Sequence, residues 1–378
     1  MTFYIIFFAF AVAAMLLTNI IKDKKKKKWI AIAVFIMLTL VAGTRFELGG
    51  SDYYIYRKCF ETVPDIWNLW RMEDVVRDIH LVNLFEPGYL TLNSIVKTLG
   101  FNFYGFTLIE STIWFVCMYH GLKRYVSDWT IVLIVFMYKL FMYNTFISLR
   151  QSITIALFFV ALQYIEDKKW IQYYIISIIA FSFHNAGIIL FLLYPVFQFK
   201  LTKKRLMIAN VVCWTLYLFE KIGISIFNVI NYVLGFVNSN SSIIIKAKQW
   251  LSVSIGLNLF HILEYMLLMI LVVMYYEKII ECDKHAEFVL KIFLILLPLF
   301  TIFGGNVVST RFKDFFTISY GIVLMYLCRI ESGRLKWLVQ MGTIAVCLYG
   351  YVRYLMNFDA GGLLPYVSYI SKGISIFQ

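Results

Sequence analysis

Charged residues are scarce in this sequence of 378 residues. They make up 15% of the chain, whereas hydrophobic residues make up 61%. A water-soluble domain carries about 25% charged and roughly 45–50% apolar residues, so a soluble globular protein is excluded. Proline is also rare, with five residues, and this excludes a proline-rich or disordered linker chain. The composition predicts an all-α, polytopic integral membrane protein.

Cysteine and histidine are too few and too scattered to form a metal site or a disulfide framework. The six cysteines include no CxxC pair, and no Cys/His spacing matches a zinc site. We therefore expect neither a metal nor a cofactor. The formal net charge of +13 is typical of Lys and Arg in cytoplasmic loops of such a chain. Nucleic acid is not an expected partner.

Apolar segments long enough for membrane spans recur along the whole chain, since a span needs ~20 apolar residues to cross ~30 Å of hydrocarbon. The twelve candidates are 2–21, 29–46, 103–121, 129–144, 145–165, 171–183, 185–199, 206–222, 257–276, 288–304, 311–330 and 337–353. With the N-terminus outside, every basic short loop falls on the inner side, as the positive-inside rule requires. The sequence thus predicts one transmembrane domain, 1–378, with both termini outside.

Two longer stretches remain outside in this topology, 47–102 and 223–256. In the first, apolar residues recur at helical spacing after Pro87, namely Leu92, Ile95, Val96 and Leu99. This spacing predicts an amphipathic helix that begins near Pro87 and is too short to span, so that it is interfacial or re-entrant. The second stretch repeats the pattern and predicts another amphipathic helix. Cys59 lies in the first stretch and is expected outside, whereas Cys282 is expected inside.

Polar residues near the outer ends of the predicted spans are the candidates for function, because polar groups at membrane depth are costly and usually functional. They are Arg45, Glu110, Arg150, Gln151, His184, Asn185, Glu264 and Arg311. Three arginines on one face suit an anionic group, since guanidinium matches phosphate oxygens and keeps its charge. A lipid-borne diphosphate is the natural ligand, and a nearby carboxylate or histidine would act as base. The alternatives are a snorkelling anchor for each arginine and a helix cap for His184.

An ordered set of short motifs runs from about residue 35 to 325. It consists of Arg45-(x6)-Asp52-(x3)-Tyr56, Glu86-Pro87-Gly88-Tyr89, Leu149-Arg150-Gln151, Phe183-His184 and Ser309-Thr310-Arg311. The set resembles the EpsG-like branch of the Wzy-type polysaccharide polymerases. The resemblance implies an enzyme that joins lipid-linked oligosaccharide repeat units on the outer face of the bacterial plasma membrane. It also implies a helical fold like that of the metal-independent C-type glycosyltransferases.

On this reading the protein is a polymerase for exopolysaccharide, capsule or O-antigen, with undecaprenyl-diphosphate-linked oligosaccharide as donor and acceptor. Asp52 or His184 is expected to act on the acceptor hydroxyl. The predicted diphosphate and substrate ligands are Arg45, Tyr53, Tyr56, Glu86, Arg150, Gln151, Asn185, Glu264 and Arg311. A flippase and a chain-length regulator are further expected partners. A lipid-linked oligosaccharide flippase, a sugar acyltransferase and a glycan ligase remain alternatives.

Overall fold

The computed structural model describes residues 1–69, 85–222, 232, 259–304, 306–331 and 333–378. Over these residues the chain is helical, with two isolated antiparallel β-bridges. The first helices are α1 (Thr2–Ile20), α2 (Lys24–Gly43), α3 (Gly50–Thr62), α4 (Pro87–Thr98), α5 (Phe103–Leu122), α6 (Trp129–Phe136), α7 (Leu149–Glu166), α8 (Trp170–Phe183) and α9 (Leu190–Val196). The next are α10 (Lys203–Lys221), α11 (Leu259–Met274), α12 (Tyr276–Cys282), α13 (Ala286–Phe300), α14 (Val307–Ile330) and α15 (Gly333–Asn357).

Several connections have helical turns of other kinds. Two π-helical turns, Met137–Phe141 and Tyr143–Ile147, link α6 to α7. A 3-10 turn, Asn185–Ile189, leads into α9, and two more, Phe358–Gly361 and Ile370–Lys372, follow α15. The predicted all-α class is confirmed for the described residues.

Two of the described helices, α1 and α15, are long and apolar enough to cross a membrane on their own. A third span results if α11 and α12, which meet at a bend of 77°, are counted together. Shorter apolar helices cover Trp129–Phe141, Trp170–Phe183 and Asn185–Val196. Each of the twelve predicted segments contains a helix, whereas the number of crossings stays a prediction.

The chain divides into two compact units. Unit 1 comprises Met1–Val196 and Trp337–Gln378, and unit 2 comprises Phe197–Lys336. In unit 1, α5 packs between α2 and α7, and α7 also packs against α8. Gly121 allows the close approach of α5 and α7, because a Cβ there would lie 2.4 Å from the carbonyl carbon of Phe159. In unit 2, α13 packs against α14.

Unit 1 has a basic end, formed by the junctions 20–28, 122–129 and 166–170. Arg124 joins the ends of α5 and α7 there through ion pairs with Glu166 (3.1 Å) and Asp167 (2.7 Å). The lysine run Lys24–Lys28 opens α2 at the same end, and Asp23 caps that helix by accepting a hydrogen bond from the Lys25 N–H at 2.8 Å. Three loops that are predicted to share one side of the membrane thus lie at one end of unit 1, and the side that this end faces stays a prediction.

The predicted amphipathic helix is present as α4, with Pro87 in its first turn. Its buried face differs from the predicted one, because Tyr89, Asn93 and Val96 are buried whereas Ile95 is 41% and Leu99 65% exposed. Asn93 tolerates burial since its Nδ2 donates to the Tyr89 carbonyl at 2.7 Å. The outward apolar pair suits a helix that lies at a membrane interface. Apart from Tyr232, the second predicted amphipathic helix lies outside the described residues.

Candidate functional site

Three segments far apart in the chain meet at Glu86, the residue before α4. Arg150, at the start of α7, donates from Nη1 to Glu86 Oε2 at 2.6 Å. The backbone N–H of Asn185 donates to Glu86 Oε1 at 3.1 Å. Each carboxylate oxygen thus holds a different segment. The side chains of Arg150 and Glu86 are 22% and 10% exposed, so the pair is sheltered but reachable.

Aromatic side chains surround the Arg150 guanidinium. Its Cζ lies 4.6 Å from the ring centroid of Phe85 and 6.0 Å from that of Tyr56. A cation over an aromatic face is attracted by the ring quadrupole, more strongly where water is excluded. These contacts hold the guanidinium in one place with its planar donors oriented. We call Tyr56, Phe85, Glu86, Arg150 and Asn185 the Arg150 cluster.

Helix α3 supplies Tyr56 to the Arg150 cluster and carries Asp52 one helical turn earlier. Tyr53, Tyr56 and Phe60 recur at helical spacing and are buried, which turns this face of α3 towards the interior. Burial raises the pKa of Tyr56 above its usual value, although the charge of Arg150 acts in the opposite direction. The phenol therefore stays neutral. Asp52 lies half-buried in the first turn of α3, one helical turn before Tyr56, and its charge also raises the Tyr56 pKa.

His184 lies between α8 and the following 3-10 turn and is 7% exposed. Its Nδ1 accepts a hydrogen bond from the Ala186 N–H at 3.0 Å. In a neutral imidazole one nitrogen accepts and the other carries the proton, so this cap places the proton of the neutral ring on Nε2. The geometry favours His184 as a cap and a hydrogen-bond donor rather than as a base.

Arg45 is completely buried. Its Nε donates to the Leu48 carbonyl at 3.2 Å, its Nη1 donates to the Ala42 carbonyl, and its Cζ lies 5.2 Å from the Phe146 ring centroid. These contacts join residues 44–50, here called the Arg45 loop, to the turn before α7. Gly49 is required in this loop, since its φ is +141° and a Cβ would lie 2.3 Å from the Phe146 carbonyl oxygen.

The remaining predicted residues of unit 1, which are Tyr53, Glu110 and Gln151, are fully buried. Glu110 in α5 accepts a hydrogen bond from the Ser152 hydroxyl at 2.5 Å, and neither side chain is exposed. Gln151 is buried beside Ser152 in α7. Tyr53 packs edge-on against Phe103 with ring centroids 5.2 Å apart. All three side chains belong to the buried interior of unit 1.

Glu264 and Arg311 belong to unit 2. Glu264 lies 3.2 Å from His261 one turn earlier in α11, and Arg311 is exposed in the first turns of α14. Their grouping with the unit 1 residues stays a prediction. Within the described parts of the chain, the His, Cys, Asp and Glu side chains form no group of three or more suited to a metal ion.

Two features of the site escaped sequence reasoning. Phe85 contacts Arg150 directly, although an aromatic residue before Glu-Pro-Gly carries no distinctive signal. Lys97 in α4 donates to the carbonyls of Glu61 (2.8 Å) and Val63 (2.7 Å), which satisfies the carboxyl end of α3. A lysine that approaches the last carbonyls of another helix can be recognised only in three dimensions.

A protein-family model matches this chain. The model of the EpsG family matches residues 28–368, which is nearly the whole chain and includes every residue of the Arg150 cluster. No curated protein and no solved structure matches the chain. The family and the apolar helices together mark a membrane protein of polysaccharide biosynthesis. The chain belongs to the EpsG family.

Proposed function

We propose that this protein is a metal-independent glycosyltransferase that polymerises undecaprenyl-diphosphate-linked oligosaccharide repeat units on the outer face of the plasma membrane. The observation that carries the proposal is the Arg150 cluster, where a guanidinium is held by Glu86 and two aromatic rings and stays partly exposed. Family membership supports a polymerase-like role. A fixed guanidinium matches the oxygens of a diphosphate leaving group.

The proposed reaction is one displacement at the anomeric carbon of the donor sugar. A hydroxyl oxygen of the acceptor unit forms the new bond to that carbon as the bond from the carbon to the diphosphate oxygen breaks. The bonding electron pair leaves with undecaprenyl diphosphate, and the hydroxyl proton passes to a base. Charge that develops on the diphosphate is stabilised by Arg150, whose donors are oriented before the reaction. Attack from the opposite side would invert the anomeric configuration.

Asp52 is the proposed base. It lies half-buried in the first turn of α3, near Tyr56 and therefore near the Arg150 cluster. A carboxylate can accept the hydroxyl proton as the sugar attacks. His184 is the weaker candidate, because its Nδ1 already accepts the Ala186 N–H. In this proposal His184 caps the turn after α8, and substrate binding by Arg311 and Glu264 of unit 2 stays a prediction.

Cells that lack the protein distinguish a role in polymerisation from a role in transport. Cells without it should accumulate single lipid-linked repeat units on the outer leaflet and lack long polymer. A glycosidase added to intact cells cleaves only glycans on the outer leaflet. Mass spectrometry of the lipid-linked units then shows which of them were accessible. Units that remain on the inner leaflet would favour the flippase instead. Long polymer that forms but stays on undecaprenyl diphosphate would favour the ligase.

A further inference from the structure

Residues 363–378, here called the strap, run along the end of unit 1 that holds the Arg45 loop. At the start of the strap, the Tyr4 hydroxyl of α1 donates to the Leu363 carbonyl at 3.0 Å. The Tyr366 hydroxyl donates to the Val41 carbonyl at 3.0 Å, near the end of α2. The strap thus joins the beginning of α1 to the end of α2.

The middle of the strap pairs with the Arg45 loop. Residues 44–46 and 367–369 exchange two backbone hydrogen bonds of 2.9 Å, one in each direction, around the antiparallel pair Arg45 and Ser368. The backbone on both sides of Arg45 is therefore fixed by the strap. On the other side of the loop, Arg45 and Gly49 contact Phe146.

The end of the strap pairs with the segment that precedes α5. Residues 100–102 and 376–378 exchange two backbone hydrogen bonds of 3.0 and 2.9 Å. Asn102 adds two more, since its Nδ2 donates to the carbonyls of Ser375 (2.7 Å) and Phe377 (3.1 Å). The Oδ1 of Asn102 caps α5 by accepting from the Tyr104 N–H at 3.0 Å. One side chain thus serves both the helix and the strap.

We infer that the strap positions the substrate site by clamping the Arg45 loop against the turn that leads into α7. The Arg45 loop runs directly into α3, which carries Asp52 and Tyr56. The turn that contains Phe146 leads into α7, where Arg150 follows four residues after Phe146. A fixed loop keeps Asp52, the proposed base in α3, near the guanidinium of Arg150 in α7. Arg45 is then a positioning residue and not a ligand of the diphosphate. This inference rests on the proposed function for its effect on polymerisation, though not for the mechanical link.

Asn102→Asp loosens the strap without removing the cap of α5. Asp and Asn cap helices about equally well, but a carboxylate cannot donate to the Ser375 and Phe377 carbonyls and repels them. We expect faster hydrogen–deuterium exchange of residues 44–50 in the purified full-length protein. We also expect polymer synthesis to fall about tenfold at an unchanged protein level. Asn68→Asp is the matched control, because Asn68 lies in the same outer region and bonds Asp65 instead of the strap.

A disulfide restores the strap in a way that a reductant reverses. Phe101 and Phe377 face each other in the second bridge, with ring centroids 5.0 Å apart and no hydrogen bond between their own backbones. Such antiparallel pairs have Cα atoms about 4.5 Å apart, within the disulfide range. Adding Phe101→Cys and Phe377→Cys to Asn102→Asp should restore slow exchange and polymer synthesis when oxidised, and a reductant should abolish both.

Two results would overturn the inference. One is faster exchange of residues 44–50 in Asn102→Asp with unchanged polymer synthesis, since the strap would then be structural only. The other is a disulfide that forms, as shown by a gel shift, and restores neither readout. If even the unmodified protein fails to extend repeat units, the proposed function is wrong. In that case the exchange data still decide whether the strap holds the Arg45 loop.

Discussion

Arg150 Nη1 and Glu86 Oε2 form an ion pair of 2.6 Å, although the two residues are 64 positions apart in the chain. The second oxygen of the same carboxylate accepts the Asn185 N–H at 3.1 Å. The pair therefore does more than neutralise a charge, because it ties α4, α7 and the turn after α8 to one point. Changes at Glu86 should affect both the arginine and the backbone turn.

Glu86→Gln should weaken the Arg150 cluster. The amide keeps one acceptor oxygen for two donors and turns its NH2 group towards the other donor. A sheltered polar group left without a partner costs about 1–3 kcal/mol. We expect a lower thermal unfolding temperature of the purified protein and less polymer. The charge swap Glu86→Arg with Arg150→Glu should not restore activity, since it removes the Arg150 guanidinium and leaves the Asn185 N–H without its acceptor. Full recovery would contradict the proposed roles of both residues.

Arg150→Lys tests the guanidinium geometry at constant charge. Lysine is a single-point donor that cannot match two phosphate oxygens with a planar fork. Polymer formation should fall by about tenfold or more, equivalent to ~1.4 kcal/mol of transition-state stabilisation, while the protein level in the membrane holds. Arg124→Lys is the control, because Arg124 also pairs with carboxylates but lies at the basic end of unit 1. Equal losses in the two variants would contradict a specific role for Arg150.

The variants Asp52→Asn and His184→Asn test whether Asp52 is the base and His184 only a capping residue. Asp52→Asn keeps the size of the side chain and removes its basicity, so single lipid-linked units should accumulate and long polymer should disappear. In His184→Asn the amide oxygen can accept the Ala186 N–H, as capping asparagines do. This variant should keep most of its activity. Mass spectrometry of the lipid-linked glycans distinguishes the two, and the reverse ranking would make His184 the base.

Cys59 is a poor reporter of topology, although it lies in a stretch that is predicted to be outside. It is 1% exposed, and burial raises its thiol pKa to about 12, so it should react slowly from either side of the membrane. Tyr54→Cys is the better outer probe, since Tyr54 is 53% exposed on α3. An impermeant maleimide should label it in intact cells and label Lys26→Cys only after permeabilisation. The opposite pattern would invert the predicted orientation.

The helices of this protein follow from the sequence, because long apolar runs between charged loops allow little else. The sequence predicts Arg150, Glu86 and Asn185 only as substrate-binding residues near the outer face of the membrane. Which carboxylate oxygen takes which donor depends on side-chain geometry that the motifs do not encode. The predicted role of Glu86 and Arg150 as ligands stays a prediction.

Arg45 and α4 show why other features of the structure could not be predicted from the sequence. The motifs predict Arg45 as a ligand-binding residue, but its guanidinium donates to the carbonyls of Ala42 and Leu48 and is completely buried. In α4, hydrogen bonds of Asn93 and Ser94 permit the burial of a mixed face. The strap is held largely by backbone hydrogen bonds between distant segments, and these have no residue signature.

The most direct test of the account uses the purified full-length protein in lipid nanodiscs with lipid-linked repeat units isolated from cells that lack it. The products are followed by mass spectrometry, which resolves the glycan length and the released lipid. The account predicts chains of two and more units, with one undecaprenyl diphosphate released for each new linkage, and a sharply lower rate for Arg150→Lys. Repeat units that stay single in the presence of the folded protein, with no undecaprenyl diphosphate released, would contradict it.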